Sequence, residues 1–326
     1  MPGIHHVTAI AGKPNRNLDF YTRVLGLRFV KRTVNFDDPG TYHFYYGDET
    51  GRPGTIITFF PWDHASPGQL GVGLAQETAF RVPAESLGYW THRLVKKGIE
   101  HGAIERRFEG SVLPLKDPDG MPLALVGVDG AENERAFSNG KIATENAIRG
   151  LSGTTLMLAE AGPTAAVLTG VLGFREVGRD GAVVRYRTAN TALGNTVDIR
   201  EAIDCLPGRM GRGSVHHVAF RVADDKAQAE MADKAAKSYG LHHTEQKDRQ
   251  YFRSIYFREP GGVLFELATD QPGFTVDEPA EHLGADLKLP GFLEPRRREI
   301  ESALPELTRQ PAAVGHQFES SHAGNP

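Results

Sequence analysis

Alternation of apolar and polar side chains is clearest over Gly213-Ser214-Val215-His216-His217-Val218-Ala219-Phe220-Arg221-Val222. Successive side chains of a strand point to opposite faces. His216, Val218, Phe220 and Val222 therefore share an apolar face that needs a helix over it, while Val215, His217, Ala219 and Arg221 share the other. His217, between a small residue and a charged one, suits the floor of a cavity better than a packed core. The same parity over residues 262–268 sends Phe265 and Leu267 toward the helix layer and Glu266 to the opposite face. A carboxylate in so apolar a strand is costly unless it is paired or metal-bound. A similar segment opens the chain: Gly3-Ile4-His5-His6-Val7-Thr8 carries a second adjacent pair of histidines at the start of a strand.

The chain repeats itself. Residues 3–8 align with Gly150-Leu151-Ser152-Gly153-Thr154-Thr155, and at the same offset Val24-Leu25-Gly26-Leu27-Arg28 meets Val171-Leu172-Gly173-Phe174-Arg175. Ala79-Phe80-Arg81-Val82 recurs as Ala219-Phe220-Arg221-Val222, and Asp117-Pro118-Asp119-Gly120 reappears as Glu259-Pro260-Gly261-Gly262. Self-similarity at fixed spacing marks a duplicated unit. Four modules result, each with a first strand (4–10, 74–82, 150–158, 214–222) and then a helix. The helices run from a cap residue to a glycine stop: Asn15 to Gly26, Ser86 to Gly98, Thr164 to Gly173 and Asp224 to Gly240. Three strands follow in each module, at 27–34, 41–47 and 54–60 in the first and 241–248, 252–258 and 262–268 in the fourth. The predicted class is α+β, four βαβββ modules forming two cupped, curved mixed sheets, because one module alone exposes a sheet edge and a concave face. The expected division is an N-terminal domain over 1–130, a linker over 131–147, a C-terminal domain over 148–270, an extension with a short helix over 271–309, and a mobile tail over 310–326.

Composition changes this picture little. The 326 residues are 40% hydrophobic and 24% charged, with a net charge of -4 and no long charge blocks, so neither nucleic acid nor a membrane surface is an expected partner. The single cysteine, Cys205, excludes an internal disulfide and fits a reducing compartment. With no signal peptide and no long apolar run, the expected location is cytoplasmic.

Four βαβββ modules with histidines on first strands and a glutamate on a last strand resemble the vicinal oxygen chelate superfamily. More narrowly, the opening His5-His6-Val7-Thr8-Ala9-Ile10, the stretch Asn35-Phe36-Asp37-Asp38-Pro39-Gly40-Thr41-Tyr42-His43 and the closing half resemble glyoxalase-family ring-cleaving dioxygenases that act on hydroquinones. The likeness runs from about residue 3 to residue 305. At the positions of His6, His217 and Glu266 the other two modules carry Gly153, Glu77 and Ala124, so ligands survive only in the first and fourth, which must then face each other. His6, His217 and Glu266 make a 2-His-1-carboxylate set, which suits Fe(II), or Mn(II), with zinc as an adventitious occupant. His5 and His216 alternate away from that face, yet the resemblance implies that both stand near the site as acid/base or orienting groups. Thr8 shares the His6 face as a hydrogen-bond partner. Tyr256 faces the cavity from its strand, and the resemblance implies that it and Arg249 contact an anionic, oxygen-rich substrate.

The activity so implied is cleavage of a hydroquinone- or catechol-type ring with O₂, which needs one metal able to hold a phenolate and O₂ side by side. The partners are a small aromatic substrate and O₂, with a homo-oligomer allowed. Two alternatives share the fold. A glyoxalase I-like isomerase or lyase takes a carboxylate from each of two modules, but the last strand of the first module has Thr58 and no acid. A non-catalytic, antibiotic-binding protein needs no metal and leaves the three ligands idle. Trp62, Trp90 and Cys205 carry no signal separable from packing.

Overall fold

The computed structural model describes residues 3–138 and 140–308; the tail expected over 310–326 lies outside the described residues. The first module comprises β1 (Ile4–Ala11), α1 (Pro14–Asp19, continued by a π-helical turn over Phe20–Val24), β2 (Arg28–Asn35), β3 (Asp38–Gly47) and β4 (Ile56–Pro61). The second has β5 (Leu74–Pro83), α2 (Leu87–Lys97), β6 (Glu105–Arg107), β7 (Gly110–Lys116) and β8 (Pro122–Val128). The third has β9 (Gly150–Leu158), α3 (Gly162–Gly170), β10 (Arg175–Asp180), β11 (Val183–Arg187) and β12 (Thr196–Glu201). The fourth has β13 (Ser214–Val222), α4 (Asp225–Tyr239), β14 (Lys247–Asp248), β15 (Arg253–Arg258) and β16 (Leu264–Thr269), and α5 (Arg297–Ala303) lies in the extension.

The modules pair crosswise. One sheet runs β14-β15-β16-β13-β1-β4-β3-β2 and joins the fourth module to the first, while the other runs β10-β11-β12-β9-β5-β8-β7-β6 and joins the third to the second. Each join is antiparallel, β1 on β13 and β5 on β9, and each module closes with a parallel pair such as β1 on β4 or β13 on β16. Both sheets are thus mixed and curl into half-barrels, as the predicted fold class requires. Among the described residues no helix is long and apolar enough to cross a membrane.

Of the four expected helix caps only Asp224 caps, accepting a hydrogen bond from the Ala227 amide at 2.8 Å. α1 and α3 start earlier than expected, at Pro14 and Gly162 with prolines in their first turns, so Asn15 and Thr164 lie inside the helices and not at their caps. Asn15 instead binds the extension through the Glu306 carbonyl, Ser86 turns back to the Pro83 carbonyl, and Thr164 donates to the buried Glu259 carboxylate. The strand expected over 241–248 reduces to Lys247–Asp248, with only an isolated bridge, His243 to Phe257, before it.

The extension crosses the first sheet and covers its outer strand. Leu287 bridges Arg32 on β2, and the Lys288 amide donates to the Arg32 carbonyl at 2.9 Å. Lys31, fully buried, drives its ammonium onto Asp277 (2.6 Å) and Glu278 and lies 5.0 Å from the centre of the Tyr251 ring. Removing one partner of such a buried group leaves uncompensated charge. Lys31→Met is expected to cost about 3–5 kcal/mol, read as a fall in the urea midpoint; an unchanged midpoint would show that the latch contributes nothing.

Candidate metal centre

β1, β13 and β16 lie side by side at the middle of the first sheet and set the site. Ala219 pairs with both His6 and Glu266, so the ligand strands are in fixed register. His6, His217 and Glu266 are all buried, and their ligand atoms lie within 4.8 Å of one another. Glu266 Oε2 is 2.9 Å from His217 Nε2 and 3.4 Å from His6 Nε2, and the two nitrogens are 3.4 Å apart. No hydrogen bond satisfies that carboxylate oxygen. A buried, unsatisfied oxygen facing two imidazole nitrogens is the donor set of a divalent cation, and the three residues fit one. Among the described residues no other three His, Cys, Asp or Glu side chains gather this way.

Each of the two candidate ligand histidines is backed by a second imidazole. His6 Nδ1 meets His5 Nδ1 at 2.9 Å, and His217 Nδ1 meets His216 Nδ1 at 2.8 Å. If Nε2 of each ligand is to bind metal, its Nδ1 must carry the proton and donate it to the neighbouring histidine. His5 and His216 then accept at Nδ1 and keep their own proton on Nε2. Ser254 does the same service for Glu266, donating its hydroxyl to Oε1. Burial would raise the Glu266 carboxyl, but His6 and His217 beside it hold it well below the usual carboxylate range. Burial, with His217 next to it, pushes His216 down to about 3, and burial likewise lowers His5, His217 and His43.

These four imidazoles stay neutral in the folded protein, whereas in an unfolded chain they take up protons near pH 6.5. The unfolded state binds more protons below that pH, so stability must fall as pH drops from 6.5 toward the folded values. The metal-free protein is expected to lose on the order of 1 kcal/mol per pH unit for each such histidine. Urea midpoints at pH 7.5 and 5.5 check this, and equal midpoints would refute it.

Strict alternation fails at His5 and His216. The β1–β13 ladder slips between Ile4 and His6 and again between Thr8 and Ala9, which leaves His5 and His216 each as the extra residue of a bulge. His216 thereby reaches the cavity wall instead of the helix layer, while His5 packs against His6 and Phe252 beneath it. The second sheet slips at the matching places, Gln76 and Ser152, so the bulges belong to the module join. That sheet holds no equivalent centre. A side-chain carbon at Gly153 would lie 2.2 Å from the Thr196 carbonyl oxygen, Glu77 is tied to Arg107 at 2.6 Å, and Asp198 is held by two bonds from Arg185.

Above the three ligands opens a cavity of about 400 Å³. Arg249, Phe252, Tyr256 and Leu264 line it from the fourth module, and Phe36, Asp37, His43, Tyr45, Phe60 and Trp62 from the first. Arg249 Nε donates to the Tyr256 hydroxyl at 3.3 Å, so the two residues expected to touch substrate stand together on one wall. Thr8 does not line the cavity; it is buried opposite His217, and its hydroxyl accepts from Thr58. Thr58 in turn meets His43 Nε2 at 2.8 Å, and His43 Nδ1 meets the Tyr45 hydroxyl at 2.9 Å. His43, Tyr45, Ser254 and Trp62 were not singled out from the sequence. Alternation along β3 puts His43 and Tyr45 on one face, which was the available signal.

Paired, cupped βαβββ modules around a two-histidine, one-carboxylate floor define the vicinal oxygen chelate class. Residues 3–125 match the model of the Glyoxalase/Bleomycin resistance protein/Dioxygenase superfamily. The chain is 45% identical over 302 residues to "Putative ring-cleaving dioxygenase MhqO" of Bacillus subtilis, covering 93% of this chain and 95% of that protein. It is 33% identical to the chlorohydroquinone/hydroquinone 1,2-dioxygenase of Sphingobium indicum, over 91% of this chain and 94% of that one. A crystal structure described as a putative dioxygenase from Bacillus subtilis superposes with a TM-score of 0.88 at 44% identity, covering 95% of this chain and 98% of that one. Glyoxalase I from Zea mays shares the fold alone, with a TM-score of 0.63 at 14% identity over 83% of this chain and 93% of that one. The chain therefore belongs to the glyoxalase/bleomycin resistance/dioxygenase superfamily.

Proposed function

We propose that this protein is a ring-cleaving dioxygenase that holds Fe(II), or Mn(II), on His6, His217 and Glu266 and inserts O₂ into a hydroquinone- or catechol-type ring. The observation that carries the reading is the convergence of three buried ligand atoms on the floor of an aromatic-walled cavity, with Arg249 and Tyr256 on one side of it. His6, His217 and Glu266 would hold the ion, and Fe(II) there would supply the redox chemistry with O₂ that ring cleavage requires. The chain's residues do the rest. Phe60, Trp62 and Phe252 offer faces that keep an aromatic ring in place and water out. His216, held neutral at the cavity wall by burial, offers a hydrogen bond from Nε2–H when its Nδ1 accepts from a metal-bound His217. Arg249, whose positive charge Tyr256 and Asp37 reinforce against the effect of burial, holds a second ring oxygen or the negative charge that develops there. Burial and the Glu266 charge raise the Tyr256 phenol, so at neutral pH it acts as a donor.

The isomerase reading has less support. The position that a second carboxylate would take is Thr58, whose hydroxyl is already engaged with Thr8 and His43. Loading the protein anaerobically with Fe(II) and following oxygen uptake with a panel of hydroquinones and catechols tests the proposal. Uptake with at least one ring is the expected result, and none with any ring would overturn it.

A further inference from the structure

The mouth of the cavity is spanned by an ion pair. Asp37, in the turn between β2 and β3, accepts a hydrogen bond through Oδ2 from Arg249 Nη2 at 2.9 Å. Arg249 lies in the loop between β14 and β15, so the bond ties one wall of the cup to the other. Its ends are unequally exposed: the Arg249 side chain is 17% accessible and the Asp37 side chain 62%. The loop is built to keep Arg249 there. Gln250 adopts a left-handed backbone (φ 69°), its amide bonds Asp248 Oδ1 at 2.7 Å, and its side chain reaches Asp277 in the extension.

The charged residues lining the cavity are Asp37, Lys247, Arg249 and Glu266, and their signs balance. Glu266 is committed to the metal position and Arg249 to Asp37, while Lys247 stands exposed at the rim. A dication on Glu266 and two neutral imidazoles leaves one net positive charge, which a single phenolate neutralises. A ring that also bears a carboxylate brings a second negative charge; of the two cations in the lining, Arg249, the less exposed, is already paired with Asp37, and Lys247 is solvated at the rim. We infer that Asp37 is a specificity-determining residue, which screens Arg249 so that the cavity takes dihydroxylated rings without a carboxylate and refuses those with one.

The inference rests on the ring-binding reading of the cavity, and its test is separable from the test of ring cleavage. Trp62 lies on the cavity wall and Trp90, the other tryptophan, is buried on α2 in the second module, so ring binding is read by quenching of tryptophan fluorescence. Titrations use hydroquinone and 2,5-dihydroxybenzoate under anaerobic conditions, on the Fe(II)-loaded protein and again on the metal-free protein. Wild type should bind hydroquinone at least tenfold more tightly than the carboxylated ring. A unit charge a few ångströms away in a half-desolvated mouth is worth about tenfold or more in affinity. Asp37→Asn should therefore narrow the preference by about tenfold or more, and Asp37→Glu, which restores the charge, should recover most of it. A preference that moves less than threefold in Asp37→Asn, or one that Asp37→Glu fails to recover, overturns the inference, as does a failure of wild type to bind hydroquinone. Because fluorescence reports binding without turnover, an enzyme that consumes no oxygen would end the ring-cleavage reading and leave this result to stand or fall alone.

Discussion

Glu266→Ala is expected to emerge from purification and anaerobic Fe(II) loading with less than a tenth of an equivalent of iron, where the unaltered protein holds close to one. The reason lies in charge as much as in geometry. His6 and His217 are neutral donors when they bind metal, so Glu266 is the only ligand that offsets a dication taken out of water. Two imidazoles on adjacent strands remain, and they fix only two corners of the coordination shell. Loss of metal should abolish oxygen uptake with every ring. The fold should survive, because Phe265 and Leu267, which pack β16 against the core, are untouched. Circular dichroism separates a metal-free folded protein from an unfolded one. Ser254→Ala is the graded control: it removes the hydroxyl that orients Oε1, and loss of such a supporting partner weakens metal affinity by about 10–100-fold. A Glu266→Ala protein with full iron content would show that the three residues do not hold the metal.

Much of this centre was legible before any coordinates, and the limits of that legibility are physical. Side-chain parity is local, so His217 and Glu266 could be placed on one face from their own strands. The repeat told which modules kept candidate ligands, and the pairing of the first module with the fourth, seen in the first sheet, followed because those residues had to meet. A bulge is different, since it is a mismatch between two strands and neither strand's own pattern records it. His5 and His216 therefore read as facing away until β1 and β13 were laid side by side. Ser254 and His43 escaped for a related reason: each acts through a hydrogen bond to a neighbouring strand, Ser254 to Glu266 and His43 to Thr58. Lys31 and Arg149 look like surface charges in sequence. In the fold Lys31 is buried on two carboxylates, and Arg149 donates to the carbonyls of Ala131, Glu132 and Thr144 in the segment between the halves.

Arg249→Ala and Tyr256→Phe are expected to keep their iron and lose turnover, each by roughly 10²-fold or more, the range for removal of a proton donor or of a group that stabilises developing charge. Neither side chain is a metal ligand. Tyr256 stands opposite Glu266 on the adjacent strand with its ring 5.6 Å from that of His217, and Arg249 reaches the site through the Tyr256 hydroxyl. The two variants should differ in kind. Tyr256→Phe leaves the apolar ring in place and removes only the hydroxyl, so its loss belongs in kcat, with substrate affinity little changed. Arg249→Ala removes the positive charge and also frees Asp37, so both kcat and KM should worsen. Because Arg249 and Tyr256 are bonded to each other, the double variant should lose less than the product of the single losses. Metal analysis beside steady-state oxygen uptake decides the matter. Parallel loss of iron would make these residues structural supports of the centre, and wild-type rates in both variants with every ring that the unaltered protein consumes would remove them from the reaction.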